Sequence, residues 1–327
     1  MRNVECGIGR HGGASRVSAR DFSVITINNG QASNRVAALV LNGNSETVGG
    51  ISSISTGANS FIRNGGATAS TLTVNDASNR TFSGVIENGS TGALNIVKSG
   101  IGSWTLNATN TYTGTTTISA GTLILASAGS IDGSSAINLG ISGSSGTLDV
   151  TSKASYTIGA SQTLSGHGSI NIGAGKVVTI NGNFAPGNSP GVVSITGSLT
   201  LNGTTTMEVN GFGSAGVDYD QVLVSGSLIY GGNLVFSFAH SLANSNTINL
   251  FSKAGYSGDF ATVTATGHYG ALTFAQSGGD LWTATASGQT FSFDQFSGDF
   301  TVIPEPSTWL LLGLGLTTVV VFRHRKS

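Results

Sequence analysis

Short runs of alternating apolar and polar residues, each ended by glycine, serine or asparagine, fill the chain over residues 22–300. The alternation has a period of two, and glycine-centred turns recur about every 6–12 residues. Leu94 and Ile96 alternate in this way, as do Trp104 and Leu106. This pattern predicts an all-β fold made of short strands.

Glycine and asparagine indicate which all-β architecture to expect. The 327 residues include 49 Gly and only 4 Pro, and 9% are charged, against about 25% in ordinary soluble domains. A β-solenoid uses glycine and asparagine at its corners, buries a narrow apolar interior and displays Thr, Ser and Asn outside. We therefore predict a parallel β-helix (β-solenoid) over 22–240. Over 241–300 we expect terminal coils or a capping β-sheet, with a short spacer over 297–303.

Charge and cysteine content exclude several classes of protein. Residues 21–303 contain seven basic and thirteen acidic side chains, so the body lacks the basic surface that nucleic acid requires. The single Cys6 excludes an internal disulfide framework.

No cofactor and no metal site is expected from the sequence. The five histidines are scattered without metal-ligand spacing. Asp218 and Asp220 are weak candidates for Ca²⁺, and the alternative is a polar turn beside Tyr219.

The N-terminal segment 1–21 is basic and glycine-rich, without the apolar region and small-residue cleavage site of a signal peptide. We expect this segment to be irregular and the true start of the protein to lie upstream.

The C-terminal segment 301–327 combines three elements in a fixed order. Pro304, Glu305 and Pro306 come first, an apolar run begins at Trp309, and a basic tail occupies 323–326. This order predicts a transmembrane helix at about 307–322, short against the roughly 20 apolar residues of a relaxed span. Trp309 suits the outer interface, and the basic tail should stay on the cytoplasmic side, leaving the body outside the cytoplasm. The residues that fix this topology are Arg323, Arg325 and Lys326.

The same three elements resemble the PEP-CTERM sorting signal of Gram-negative bacteria. The resemblance implies recognition by an exosortase, a membrane-embedded transpeptidase-like enzyme, with cleavage near Pro304, Glu305 and Pro306. It also implies anchoring in the inner membrane, followed by release to the cell surface or into an exopolysaccharide layer.

Residues 92–126 resemble the autotransporter-associated β-strand repeat, a module of right-handed parallel β-helix found in passenger domains. Trp104 and Tyr112 lie at repeat positions, and we expect them in the core rather than stacked on sugars. Thr115 stands where the family usually has a second glycine. The matching positions are Lys98, Gly100, Gly102, Leu106, Asn110, Tyr112, Gly114, Thr116, Gly121 and Leu123.

Together these features favour an exported, non-enzymatic surface or extracellular-matrix solenoid with an adhesive or exopolysaccharide-associated role. The alternative is a carbohydrate-active enzyme, because parallel β-helices also carry polysaccharide lyases. Lyase sites need clustered Arg or Lys, often with Ca²⁺-binding carboxylates. Residues 81–322 offer only four basic side chains, well separated in sequence: Lys98, Lys153, Lys176 and Lys253.

Overall fold

The computed structural model describes residues 4–5, 24–28, 36–54, 59–141, 144–187, 190–242 and 246–304. Within these ranges the chain consists of strands, turns and bends, with no helix. The strands are β1 (Val4–Glu5), β2 (Val24–Ile27), β3 (Ala37–Val40), β4 (Glu46–Val48), β5 (Gly50–Ser53), β6 (Ser60–Arg63), β7 (Ser70–Val74), β8 (Arg80–Phe82), β9 (Val85–Glu87), β10 (Leu94–Lys98), β11 (Ser103–Leu106), β12 (Thr116–Ile118), β13 (Gly121–Leu125), β14 (Ala136–Leu139), β15 (Gly146–Asp149), β16 (Ser155–Ile158), β17 (Thr163–Gly166), β18 (Gly168–Asn171), β19 (Val177–Ile180), β20 (Asn183–Pro186), β21 (Val192–Thr196), β22 (Ser198–Leu201), β23 (Thr204–Glu208), β24 (Gln221–Val224), β25 (Ser227–Ile229), β26 (Asn233–Phe238), β27 (Asn246–Asn249), β28 (Phe251–Ser252), β29 (Gly255–Ser257), β30 (Thr262–Gly267), β31 (Leu272–Thr273), β32 (Ala275–Gln276), β33 (Leu281–Ala286), β34 (Gln289–Asp294) and β35 (Asp299–Pro304).

These strands stack into a parallel β-solenoid of about 9 turns, which confirms the predicted all-β solenoid class. The first face is an 11-stranded sheet in the order β31-β30-β26-β23-β20-β17-β14-β12-β10-β7-β4. It is parallel from β4 to β30, and the short β31 pairs antiparallel at its end. The second face is the 8-stranded sheet β28-β24-β21-β18-β15-β13-β11-β8.

The third face is divided into two sheets. β3-β6-β9 forms the N-terminal part, and β16-β19-β22-β25-β29 forms the C-terminal part. The small parallel sheet β1-β2-β5 lies beside the second face, where β5 contacts β8. Two successive coils therefore cross the third face without adding a strand to either of its sheets.

Apolar side chains at matching positions of successive coils build the core. On the second face one such column runs in register from β11 to β24, and each of its members is buried. This arrangement follows from period-two alternation, because one side of every strand faces the interior. The column consists of Trp104, Leu123, Leu148, Ile170, Ile195 and Val224.

Hydroxyl and amide side chains pair between coils on the outside. Ser165 donates to Asn138 at 2.6 Å, Asn202 donates to Asn181 at 2.9 Å, and Thr262 donates to Asn233 at 2.7 Å. Polar ladders of this kind let a chain with few charged residues present a hydrated surface.

An antiparallel sheet in the order β27-β35-β34-β33-β32 packs on the last coils through aromatic side chains. Phe300 of β35 lies 4.9 Å from Phe236 of β26 between ring centroids, and Phe291 of β34 lies 5.6 Å from Phe238. The sheet covers an apolar solenoid end that would otherwise face solvent. We call this sheet the aromatic cap.

The prediction of a spacer over 297–303 is wrong for residues 299–303, because these residues belong to β35, which lies inside the aromatic cap. β35 pairs with β27 on one side and with β34 on the other. Phe300 and Val302 point inward and are fully buried. The predicted transmembrane helix at 307–322 lies outside the described residues, and none of the described residues forms a helix able to cross a bilayer.

Candidate functional site

Lys98 is fully buried at the end of β10, inside the coil. Its Nζ donates to the carbonyl oxygen of Gly100 and, at 3.3 Å, to that of Ala120. Burial lowers the pKa of the Lys98 ammonium, and the nearby Asp76 carboxylate opposes that shift. A buried ammonium is tolerated because carbonyl oxygens surround it. Lys98 thus binds the backbone of two successive coils rather than a ligand.

Glycines of the repeat allow the coils to approach each other at this corner. A Cβ on Gly100 would lie 2.1 Å from the Asp76 carbonyl oxygen, and Gly121 has a φ of 66°. Either position strongly disfavours a larger residue. Gly102 and Gly114 approach the preceding coil in the same way, at Ser78 and Leu94.

Asn110 joins three coils through its buried side chain. Its Oδ1 accepts the Ile86 N–H at 2.9 Å, and its Nδ2 donates to the Ser130 carbonyl at 2.8 Å. On the third face, residues near 110 and 130 lie between β9 and β16 and belong to neither sheet. The two bonds of the Asn110 side chain link their coils in place of regular strand pairing. Asn110 therefore supplies hydrogen-bond partners to backbone groups at the place where the third face lacks a strand.

The aromatic repeat residues lie in the core. Trp104 and Tyr112 are each 1% exposed, so neither can stack on a sugar. The Tyr112 hydroxyl lies 2.6 Å from Thr116 Oγ1, which in turn lies 2.9 Å from Ser134 Oγ. Burial raises the pKa of the Tyr112 phenol, which stays protonated. Leu106 and Leu123 are buried beside them.

The Asp218 and Asp220 carboxylates accept hydrogen bonds from different backbone N–H groups. Asp220 is 1% exposed; Oδ1 accepts the Gly191 N–H and Oδ2 the Glu208 N–H, both at 2.7 Å. Asp218 Oδ2 accepts the Ser214 N–H at 2.7 Å. In the described part of the chain no three His, Cys, Asp or Glu side chains are placed to hold a metal ion.

Asp220 should make stability depend on pH. Burial raises its pKa to about 7 from 3.8, and the Glu208 carboxylate adds to the rise. The folded protein then keeps a proton that the unfolded chain has lost. The stability from that proton is complete below pH 3.8 and is lost as pH rises through about 7.

We expect the stability difference between wild type and Asp220→Asn to change across this pH window. Wild type should lose free energy of unfolding relative to the variant, by at most about 1.4 kcal/mol per pH unit. Urea unfolding of both proteins at a series of pH values measures the difference. Parallel curves would contradict the assignment.

The sorting-motif residues begin where the described structure ends. Pro304 is the last residue of β35 and pairs with Gln289 of β34. Glu305, Pro306, Trp309 and the basic tail lie outside the described residues. The predicted motif therefore follows directly on a central strand of the aromatic cap.

A polar cleft of about 370 Å³ opens on the third face beside β16. Ser130 and Asp132 line one side, and Ser155, Tyr156 and Thr157 of β16 line the other. Lys153 at its edge donates from Nζ to the carbonyls of Ser127 at 2.7 Å and Gly129 at 2.6 Å. Nothing in the sequence pattern pointed to this cleft, since it depends on where two coils omit a strand.

The fold and the sequence that follows it define a class: a capped parallel β-solenoid whose last described strand leads directly into a sorting segment. Residues 96–125 match the Passenger-associated-transport-repeat family, and residues 302–326 match the PEP-CTERM protein-sorting motif. The chain thus carries one passenger-associated-transport-repeat and a C-terminal PEP-CTERM sorting motif. Its sorting motif indicates export and sorting to the cell envelope. No curated protein and no solved structure matches the chain at a significant level.

Proposed function

We propose that this chain is a non-enzymatic, exported β-solenoid of the cell surface or extracellular matrix, processed by an exosortase near Pro304, Glu305 and Pro306. The observation that carries the proposal is the matched sorting motif at 302–326, joined without a spacer to a capped solenoid. A scaffold of this kind projects from its attachment point as a stiff body, because parallel pairing continues from coil to coil.

The C-terminal segment accounts for membrane anchoring in this proposal. Residues 307–322 form a helix in the inner membrane, with Trp309 at the outer interface and the basic tail 323–326 on the cytoplasmic side. The run is short for a stable span, which suits an anchor that is later removed. We take the coil to be right-handed, the sense that connections between parallel strands nearly always adopt.

The basic side chains support a non-enzymatic role. Lys98, Lys153 and Lys176 each donate from Nζ to backbone carbonyls. Arg63 pairs with Glu87 at 3.1 Å, and Arg80 pairs with Asp76. Lys253 lies over the rings of Tyr230 and Tyr256, at 5.7 and 5.6 Å. In the described part of the chain the cations are engaged singly and do not form the cluster that a lyase would use.

The outer surface supports an adhesive or exopolysaccharide-associated role. Rows of Ser, Thr and Asn repeat along the solenoid axis at the strand spacing of about 4.8 Å. Regularly spaced hydroxyl and amide groups can donate to and accept from polysaccharide hydroxyls over a long contact. The exposed Asn181 and Asn202 are one such pair.

Replacing Pro304, Glu305 and Pro306 by alanine should block processing. We expect the variant to stay full-length in the membrane fraction of its native host, whereas wild type is converted to a shorter, released form. Immunoblotting of membrane and extracellular fractions measures this, with Asn181→Ala on the solenoid surface as the matched control. Equal release of variant and wild type would refute the assignment.

A further inference from the structure

The two parts of the third face are separated by a gap that β16 borders. β9 ends the N-terminal sheet and β16 begins the C-terminal one. Between them an isolated bridge joins Thr109 and Ser130. Asn110 holds the Ser130 carbonyl through its side chain. The coil at Ser130 is therefore bonded to the preceding coil at Asn110. Lys153 and Gln162, which line the cleft, link the same coil to the coil of β16 through its carbonyls at Gly129 and Ser134.

β16 has one edge that no strand covers in the described structure. The Ile158 carbonyl accepts the Asn181 N–H at 2.9 Å, so the backbone groups of Ile158 face β19. Backbone groups alternate in direction along a strand, so Tyr156 also faces β19. Ser155 and Thr157 then direct their N–H and C=O groups to the opposite side, into the cleft.

The cleft has the polar chemistry of an incomplete strand pair. Ser130 Oγ is buried there without a hydrogen-bond partner among the described residues. The Asp132 carboxylate is exposed at one end. The edge strand itself, Ser155–Ile158, has neither a proline nor a charge, the devices that usually block an edge. The coil at residue 130 bounds the gap on the side opposite β16. The open edge of β16 therefore cannot pair with an unlimited series of further strands.

We propose that this cleft binds an extended peptide segment of a partner protein, which adds to β16 as a new strand. Its backbone pairs with the N–H and C=O groups of Ser155 and Thr157, as in other cases of strand addition. A small hydroxyl-bearing side chain meets Ser130, and a Lys or Arg of the peptide meets Asp132. The four residues of β16 correspond to a contact of about 13 Å.

Two observations favour a peptide over a sugar in this cleft. Tyr156 is only 5% exposed, so its ring offers no face on which a pyranose could stack. The alternating donors and acceptors of an open strand edge match an extended backbone residue by residue. The inference depends on the solenoid geometry alone and stands apart from the proposed processing and export.

Amide hydrogen exchange resolved to single residues tests the open edge first. In the free full-length protein the Thr157 N–H should exchange at least about 100-fold faster than those of Tyr156 and Ile158, which bond to β19. Equal protection at the three positions would mean that the edge is already covered, and would overturn the proposal.

Binding of a synthetic peptide tests whether an extended peptide can occupy the cleft. The probe is the synthetic peptide acetyl-TVSTSK-amide, which alternates β-branched and small residues and ends in lysine. We expect it to slow exchange at Thr157 by about tenfold or more, with no change at Ile158. The same peptide with alternate N-methyl groups cannot pair and should give no protection.

Two protein variants complete the design. Thr157→Pro removes the N–H that faces the cleft and leaves the β19 bonds of Tyr156 and Ile158. In this variant the peptide should no longer slow exchange of the Ser155 N–H, the other amide that faces the cleft. Asp132→Asn leaves β16 intact and should weaken binding severalfold, with the loss disappearing at high salt. Protection of Thr157 by dextran or maltohexaose but not by the peptide would assign the cleft to a glycan and refute the proposal.

Discussion

Phe300→Ala is expected to lower the free energy of unfolding by about 3–5 kcal/mol, the range for truncating a buried phenylalanine. Phe300 is fully buried at the centre of the aromatic cap. Its ring centroid lies 4.9 Å from that of Phe236, 5.8 Å from Phe238 and 6.3 Å from Phe291. Removing the ring leaves a cavity between the cap and the last coil that aromatic neighbours on both sides cannot easily fill.

The matched control is Phe296→Ala, four residues earlier in the chain. Phe296 is 69% exposed at the turn between β34 and β35 and contacts the Tyr256 ring at a centroid distance of 5.9 Å, so its removal should lower stability by no more than about 1 kcal/mol. Urea unfolding followed by tryptophan fluorescence compares the two variants, since Trp282 lies in the cap. Equal losses in both variants would show that Phe300 does not hold the cap on the solenoid.

Opening of the cap should also be visible before global unfolding. In Phe300→Ala the amides of β33 to β35 should exchange faster than those of the central coils. Exposure of the apolar solenoid end that the cap covers would then favour association between molecules.

The sequence predicted the architecture because the solenoid depends on local patterns. Each short strand alternates inward and outward residues, and each corner has a residue suited to a turn. Trp104 and Leu123 illustrate this, since their period-two neighbours already indicated the inward side and the structure stacks them in register. Fold class follows from such patterns because every coil repeats the same local requirements.

Pairings between distant segments were not predictable in the same way. β27 pairs with β35 across about fifty residues, and no local pattern specifies that partner. The alternation of Phe300 and Val302 was present in the sequence, yet their position next to the sorting motif favoured the interpretation as a spacer. The period-two alternation of apolar residues continues to Val302, and this alternation was the sequence signal from which a strand could have been predicted.

The cleft beside β16 shows the same limit. Its walls come from residues near 130 and near 156, and the Asn110 side chain bonds to the Ser130 carbonyl on one of these walls. The repeat motif identified Asn110 as a structural position but gave no sign of which carbonyl it would bind. Side-chain bonds between coils, about 20 residues apart, are set by the stacking register rather than by neighbouring residues.

Asn110→Ala should be the second strongly destabilising substitution, lowering the free energy of unfolding by about 2–6 kcal/mol. The reason is that it leaves the Ile86 N–H and the Ser130 carbonyl buried without partners, each at a cost of about 1–3 kcal/mol. The control Asn181→Ala removes an exposed amide of the outer ladder and should stay within about 0.5 kcal/mol of wild type. Urea unfolding of the three proteins measures the difference.

Asn110→Asp distinguishes the contributions of the two hydrogen bonds of this side chain, because it keeps one of them and removes the other. The aspartate keeps an oxygen for the Ile86 N–H, but its second oxygen faces the Ser130 carbonyl and repels it. A protonated carboxyl would donate to that carbonyl, so the folded-state pKa of the new acid should lie above the unfolded value of about 3.9. The variant should therefore be close to wild type below that pH and lose stability as pH rises. Stability equal to that of wild type at every pH would show that the bond to Ser130 contributes nothing, because the aspartate still accepts the Ile86 N–H.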